Sequence, residues 1–401
     1  MDATITPASL CGSIKAIPSK SAAHRLLICA ALADSETEIV CPRLSKDIAA
    51  TAECLRAMGA DITYKGGSFF VKPIKEASID AKLDCGESGS TLRFLLPVVC
   101  ALGKGGRIKM HGRLPDRPLS PLWEELERHG VKLYKPERDT ICVEGKLRAG
   151  DYKIRADISS QFISGLLFAL PLLSEESRVI MEGPIESAGY IHMTRQTQEA
   201  FSLRCSLKDN VFTIPAGAKY ISPAKAEVEG DWSNAAFWLT ASAISSGKIE
   251  VCGLSEVSMQ GDKAVVKIIE DIKKGNARVD AGDIPDLVPV LSVLAAVSPG
   301  VTEFVNAGRL RTKESDRLKA IKAMLTALGC KCEENESGLA VCGGRLIGGV
   351  VNSENDHRIA MSAAIAAIAC SEKVTILGAE AVEKSYPEFF EDYKKLGGII
   401  L

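Results

Sequence analysis

Six stretches of this 401-residue chain share one design: a serine or aspartate, a polar first turn, then a run of small and apolar residues. They begin at Ser19, Ser88, Ser159, Asp231, Asp286 and Asp356; four of the five intervals lie between 69 and 72 residues, and one is 55. A helix that is apolar all round has to be buried on all sides. A fixed period of this size marks a repeated supersecondary unit that cannot bury its own face alone. In the first stretch, Ser19 or Ser21 can cap the helix behind Pro18. Lys20, His24 and Arg25 then read as cations crowded at the positive end of the helix dipole. An anionic ligand offsets that cost, and the free backbone N–H groups of a helix start already favour one.

A second marker supports the repeat. Each apolar helix is followed by an amphipathic segment that ends near a glycine and gives way to two short strand patterns. Residues 51–59 lead into 61–64 and 69–71, residues 126–130 into 131–134 and 140–143, and residues 324–329 into 330–332 and 339–341. Weaker copies end at Leu203, Gly275 and Gly397. The pattern predicts an α/β protein of six βαβαββ units with glycine-rich hairpin turns. Gly397 lies four residues from the last residue, so the sixth unit lacks room for its closing strands. Residues 3–6 and 11–14 are expected to supply them. Three units fall to a domain made of residues 1–17 and 229–401, and three to an inserted domain, 18–228. Lys20 is then expected at the mouth of an interdomain cleft holding the active site, a common place for ligands.

Apolar residues make up 46% of the chain, which places it among folded globular proteins. A formal net charge of −2 argues against nucleic acid or a membrane surface as a partner. No basic region followed by an apolar run opens the sequence, and no apolar stretch reaches the roughly 20 residues of a membrane span. The 13 scattered cysteines read as reduced thiols of a cytoplasmic protein. The five histidines (24, 111, 129, 192 and 357) show no metal-ligand spacing. No P-loop, dinucleotide fingerprint or nucleophile elbow is present.

The remaining chemistry sits at helix starts: Lys20 with Arg25, Arg93, Arg113 with Arg117, Lys313 with Arg317, Arg358, and Lys384. One such cation is ordinarily a surface residue. Six clusters at equivalent repeat positions point instead to a ligand rich in phosphate and carboxylate, which arginine meets bidentately. Ser159, Ser160 and Gln161 add neutral donors. Asp286, judged alone, reads better as a helix cap than as a catalytic acid. Lys313, Glu314, Asp316 and Arg317 read as either a salt-bridged cap or a catalytic turn.

These motifs resemble one family. Lys20-Ser21 with Arg25, Gly86 to Arg93, Arg117-Pro118, Ser159 to Gln161, Ile284 to Asp286, Lys313-Glu314 with Asp316-Arg317, Asn355 to Arg358 and Lys384-Ser385 with Pro387 are similar to the 3-phosphoshikimate 1-carboxyvinyltransferase (EPSP synthase) family, in unbroken order. The resemblance implies a two-domain inside-out α/β barrel with three βαβαββ units per domain. It implies transfer of the enolpyruvyl group of phosphoenolpyruvate to the 5-hydroxyl of shikimate 3-phosphate, with release of phosphate, by a cytoplasmic monomer. Neither a metal nor an organic cofactor is implied. Shikimate 3-phosphate would be bound by Lys20, Ser21, Arg25, Ser159, Ser160, Gln161, Ser187, Asp286 and Lys313. Phosphoenolpyruvate would be bound by Lys20, Gly89, Arg117, Gln161, Arg317, Arg358 and Lys384. Asp286 would accept the hydroxyl proton, and Glu314 with Lys20 would handle protons at the methylene carbon.

Glu87 stands where the family usually has asparagine, and Ser90 where it has threonine. An anion at Glu87 is expected to repel phosphoenolpyruvate unless it pairs with a cation or points away. The family is the target of glyphosate, a competitor of phosphoenolpyruvate. Gly89 is therefore expected to leave room for it, and a methyl group there to clash with the longer inhibitor alone. The rival enzyme of the same fold, UDP-N-acetylglucosamine enolpyruvyltransferase, carries a cysteine before its Arg-Pro; residues 112–118 hold none. A non-catalytic anion-binding protein on this scaffold would be expected to lose Asp286 or Glu314.

Overall fold

The computed structural model describes residues 1–401. The apolar stretches form helices Lys20–Ala31, Gly89–Leu102, Ser160–Ala169, Trp232–Ile244, Val288–Val297 and His357–Ala366. Their apolar bodies are inside: every residue from Ala22 to Ala31 is buried. Ser19, Ser88, Ser159, Asp231 and Asp356 each cap a helix by accepting a backbone N–H two or three residues on. The fifth helix departs from the pattern. Leu287 occupies its cap position, so Asp286 is not a cap and its carboxylate is used elsewhere.

One unit displays the wiring of the rest. Strand Ala81–Asp84 runs through helix Gly89–Leu102 into the parallel strand Gly106–Lys109. A parallel pair needs such a crossover. Helix Leu122–Arg128 then leads to the hairpin Val131–Glu137 and Thr140–Gly145, whose second strand pairs antiparallel with Gly106–Lys109. Four further four-stranded sheets repeat this order. Two of the hairpins reverse in two residues that both carry positive φ, Gly66 (61°) with Gly67 (79°) and Asp209 (50°) with Asn210 (61°), as a type I′ turn requires.

Two sheets are completed from distant sequence. Lys225–Glu227 lies parallel to Thr37–Val40 and opens the first unit. Ala3–Thr6 pairs with both Val374–Leu377 and Ile399–Ile400 in the last unit. The amino-terminal segment thus supplies one of the two strands expected there, and the chain's own last residues supply the other. Gly12–Lys15 goes elsewhere, into a two-stranded parallel ladder with Ile249–Cys252. That unit has no closing hairpin, because after helix Val265–Lys274 the chain runs straight into Arg278–Asp280, the first strand of the next unit. The missing hairpin accounts for the short interval of 55 residues.

The chain divides into two compact units, Met1–Ile17 with Glu229–Leu401, and Pro18–Val228. Each has its own apolar core. Phe94, Phe162 and Phe168 anchor the core of Pro18–Val228. Trp238, Leu291, Ile359 and Phe389 anchor the other. No helix is long and apolar enough to cross a membrane.

Candidate active site

In the unit Pro18–Val228, helix starts gather the side chains singled out by sequence. Arg25 is 1% exposed. Its Nε donates to Thr194 Oγ1 (2.9 Å), its Nη1 to the Ser21 carbonyl (2.7 Å) and its Nη2 to the Tyr190 carbonyl (2.8 Å). The guanidinium also lies over the Phe94 ring, 4.9 Å from the centroid. All these partners are neutral. Burial accordingly pulls its pKa down to about 10, the mark of a desolvated cation lacking a counter-ion. Lys20 takes the opposite course and pairs with Asp47 Oδ2 at 2.9 Å.

A second group forms where helices Gly89–Leu102 and Ser160–Ala169 begin. Arg93 Nη1 donates to Gln161 Oε1 (2.8 Å) and Nη2 to the Pro118 carbonyl (3.3 Å). Arg117 closes on the same place, its Nη1 2.7 Å from where a Gly89 Cβ would stand. Gly89, Arg117 and Gln161 are therefore together, with Arg93 as the bridge. Sequence counts Arg93 among the anion-directed cations but assigns it to neither substrate, although its spacing of four residues from Gly89 puts both on one helix face. Ser159 caps the helix on which Ser160 and Gln161 lie. Ser187 is buried at the start of helix Ala188–Ala200, in the left-handed region (φ 56°). Such a conformation in a serine costs energy and persists where its surroundings over-determine it.

His24 is not one of the cations. Burial first, then Lys20 and Arg25, hold its pKa well below the ordinary 6.5, so the imidazole is neutral. Glu87 packs its carboxyl group on Gly112, where a Cβ would stand 2.6 Å from Glu87 Cδ and Oε2; Gly112 (φ 56°) is needed for both reasons. A methyl group on Gly89 would stand 2.7 Å from Arg117 Nη1, so it displaces that guanidinium whichever ligand is bound. Arg113, grouped with Arg117 by sequence, is exposed.

The unit that carries both termini has a different electrostatic arrangement. Arg317, 1% exposed, faces three carboxylates. Its Nε donates to Asp356 Oδ2 (2.8 Å), Nη1 to Asp286 Oδ1 (2.7 Å) and Nη2 to Glu314 Oε2 (2.6 Å). Burial opposes its charge, yet Asp356, Glu314 and Asp286 raise its pKa above the ordinary value. Burial likewise opposes ionisation of Asp356, and Arg317 outweighs it. Asp286 and Glu314 keep 21% and 18% of their side-chain surface exposed, whereas Asp356 keeps none. The first two can meet a ligand; the third orients Arg317.

Lys313 Nζ stands 3.6 Å from Asp286 Oδ1, and burial, partly offset by Asp286, lowers its pKa to about 8. Arg358 donates through Nη1 to the Asp286 carbonyl (3.0 Å) and through Nη2 to Ser233 Oγ (2.7 Å). Lys384 Nζ donates to the Asn355 carbonyl at 2.6 Å. Sequence reasoning missed Ser233 and Asp262. Asp262 is buried beside this group; burial and Asp286 push its pKa up to about 6, against Arg358 and a hydrogen bond from Ser233. Neither carried a signal, since Asp262 reads as an ordinary loop acid and Ser233 as part of a helix start.

The family model for EPSP synthase (3-phosphoshikimate 1-carboxyvinyltransferase) matches residues 5–393. The chain is 43% identical to a 3-phosphoshikimate 1-carboxyvinyltransferase of Clostridium perfringens, covering 99% of this chain and 98% of that one. It is 39% identical to the protein of that name from Clostridium kluyveri, covering 99% and 97%. Among solved structures, EPSP synthase from Acinetobacter baumannii is similar over 100% of this chain and 99% of that one, with a TM-score of 0.83 at 24% identity. The enolpyruvyl transferase NikO from Streptomyces tendae gives 0.78 at 16% identity, covering 100% and 98%. These two likenesses speak for the fold, the two-domain inside-out α/β architecture. The match over nearly the whole sequence, with relatives at this identity, places the chain in the EPSP synthase (3-phosphoshikimate 1-carboxyvinyltransferase) family.

Proposed function

We infer that this chain is a transferase that moves the enolpyruvyl group of phosphoenolpyruvate to the 5-hydroxyl of shikimate 3-phosphate and releases phosphate. The observation that carries the reading is the pairing of Asp286 and Glu314, two reachable carboxylates, on one buried guanidinium. In the addition step the substrate oxygen bonds to C2 of phosphoenolpyruvate, its proton leaves, and C3 gains a proton. In the elimination step the C2–O bond to phosphate breaks and C3 gives a proton back. Two positioned acid–base groups are required, each contributing on the order of 10²–10⁴-fold. Asp286 takes the hydroxyl proton; Glu314 with Lys20 serves the methylene carbon.

Both substrates are polyanions, and the cations answer them. Ser21, Arg25, Ser159, Ser160, Gln161, Ser187 and Lys313, with Lys20 and Asp286, take shikimate 3-phosphate. Lys20, Gly89, Arg117, Gln161, Arg317, Arg358 and Lys384 take phosphoenolpyruvate. Arg25 favours an anion most directly, because its buried charge has only neutral partners. Arg317 acts mainly by holding the two carboxylates in place, having committed its donors to them. The 13 unpaired thiols, nine of them buried, suit a reducing cytoplasm. We also take the protein to work as a monomer. The test is phosphate release from phosphoenolpyruvate that requires shikimate 3-phosphate. No release with both present, or equal release with UDP-N-acetylglucosamine as acceptor, refutes the reading.

A further inference from the structure

A chain of hydrogen bonds inside the unit Pro18–Val228 joins two of the helix starts, and the reaction as described makes no use of it. His24 is fully buried. Its Nδ1 lies 2.5 Å from Thr51 Oγ1, on helix Lys46–Ala57, and its Nε2 lies 3.2 Å from Ser90 Oγ, in the first turn of the Gly89 helix. Thr51 Oγ1 is in turn 2.7 Å from Thr91 Oγ1, and Thr91 Oγ1 donates to Ser88 Oγ at 2.7 Å. Ser88 is the cap of the Gly89 helix and also accepts the Thr91 backbone N–H.

The cap sets the direction of every proton in this chain. Thr91 spends its hydroxyl hydrogen on Ser88, so towards Thr51 it can only accept. Thr51 then spends its own hydrogen on Thr91 and must accept from His24. That places the imidazole hydrogen on Nδ1 and leaves a lone pair on Nε2, which Ser90 meets by donating. Ser90 is thereby committed inward. Its hydroxyl hydrogen is not offered to a ligand, and an anion at this helix start is left to the backbone N–H groups and the arginines. A neutral imidazole suits the setting, because Lys20 and Arg25 flank it on the same helix and a third positive charge would repel both.

We propose that His24 is a positioning residue, held as the Nδ1–H tautomer, that ties the Lys20 helix, at the start of its second turn, to the first turn of the Gly89 helix and fixes Ser90. The inference rests on reading Lys20 and Gly89 as part of the phosphoenolpyruvate site. A slip between the two starts misplaces Lys20 relative to Gly89, and an error of about 1 Å costs up to about a hundredfold.

The test uses His24→Asn, whose amide can keep the Thr51 bond but falls short of Ser90, and His24→Gln, whose longer amide can reach Ser90. Ser90→Ala cuts the same tie from the other end at a half-buried position and carries little risk to folding. With wild-type turnover first established, KM for phosphoenolpyruvate is expected to rise about tenfold in His24→Asn and in Ser90→Ala. The double variant should be no worse than the poorer single one, His24→Gln should recover part of the loss, and KM for shikimate 3-phosphate, which Lys20 is also assigned to meet, should rise less than KM for phosphoenolpyruvate. Multiplying effects in the double variant, or an unchanged KM for phosphoenolpyruvate in a folded Ser90→Ala, overturns the proposal. If His24→Asn does not fold, Ser90→Ala alone decides. Absence of turnover in the wild type would instead sink the assigned reaction.

Discussion

Replacing Gly89 by alanine puts a methyl group 2.7 Å from Arg117 Nη1, 3.0 Å from its Cζ and 3.0 Å from Arg93 Nη1. Ordinary contact begins near 3.4 Å, so the Arg117 head has to retreat by about 0.7 Å. For the fold this is cheap, because the displaced atoms end a flexible side chain and alanine is the better helix former by about 0.5–1 kcal/mol. For a ligand held by that guanidinium it is not. Losing one charge-assisted hydrogen bond costs about 1.5–3 kcal/mol, roughly ten- to a hundredfold in affinity. The melting temperature should therefore hold or rise while KM for phosphoenolpyruvate climbs at least about tenfold. The inhibition constant for glyphosate should climb further, since the inhibitor meets both the displaced arginine and the methyl group. Steady-state phosphate release at saturating shikimate 3-phosphate reads both constants. Because the damage passes through Arg117, the same substitution made in Arg117→Lys should cost less than about twofold more. A Gly89→Ala enzyme with unchanged KM for phosphoenolpyruvate would refute the argument.

Asp286→Asn and Glu314→Gln should each lower turnover by about a hundredfold or more, because each removes a proton carrier but almost no volume, and each should also lower the melting temperature, because it takes a counter-ion from the buried Arg317; near-normal turnover sinks the assigned role. Lys313, with its pKa lowered to about 8, is charged below that pH and loses its charge above it. Affinity for shikimate 3-phosphate should be full below pH 8 and fall as pH rises through it, and Lys313→Arg should flatten the fall; a flat wild-type profile of KM from pH 7 to 9.5 counts against this. Asp262 has its pKa raised to about 6 in the folded chain against an ordinary 3.8. The folded state then holds the proton more tightly, so the wild type loses stability as pH rises from about 4 to 6, on the order of 2 kcal/mol. Asp262→Asn should gain on the wild type in melting temperature between pH 4.5 and 7; an identical difference at both pH values would refute the buried charge.

Sequence carried the repeat because burial leaves a mark on every residue of a helix. Ala22 to Ala31 is apolar or small at nearly every position, and only a helix enclosed on all sides asks for that. Strand provenance is less visible. Gly12–Lys15 and Ala3–Thr6 look alike as short extended segments, and which sheet each joins is settled by partners more than 200 residues away. The same limit applies to His24. Beside Lys20 and Arg25 it reads as a third cation; burial and those same two charges keep it neutral, and Thr51 and Ser90, brought in from two other helices, make it a tie. Residue type reports what a side chain is able to do; protonation and pairing depend on neighbours that the spacing does not name.

The two cationic groups differ in what an arriving anion must displace. Around Arg25 the partners are a hydroxyl and two carbonyls, so a phosphate gains the buried charge without breaking an ion pair. Around Arg317 the carboxylates of Asp286, Glu314 and Asp356 already balance the cations, so an anion there competes with groups of its own sign. Protonation removes that competition. A proton accepted by Asp286 cancels one carboxylate and releases part of the charge of Arg317, Lys313 and Arg358 towards whatever anion is present. On the proposed assignment, the step in which Asp286 takes the hydroxyl proton also strengthens the hold on the phosphate about to leave. Asp286→Asn imitates the neutral form without being able to accept a proton. It should therefore bind inorganic phosphate at least as tightly as the wild type while turning over about a hundredfold more slowly or worse. Calorimetric titration of both proteins with phosphate, in the presence of shikimate 3-phosphate, separates the two effects, and weaker phosphate binding in Asp286→Asn would show that the carboxylate does not gate those cations.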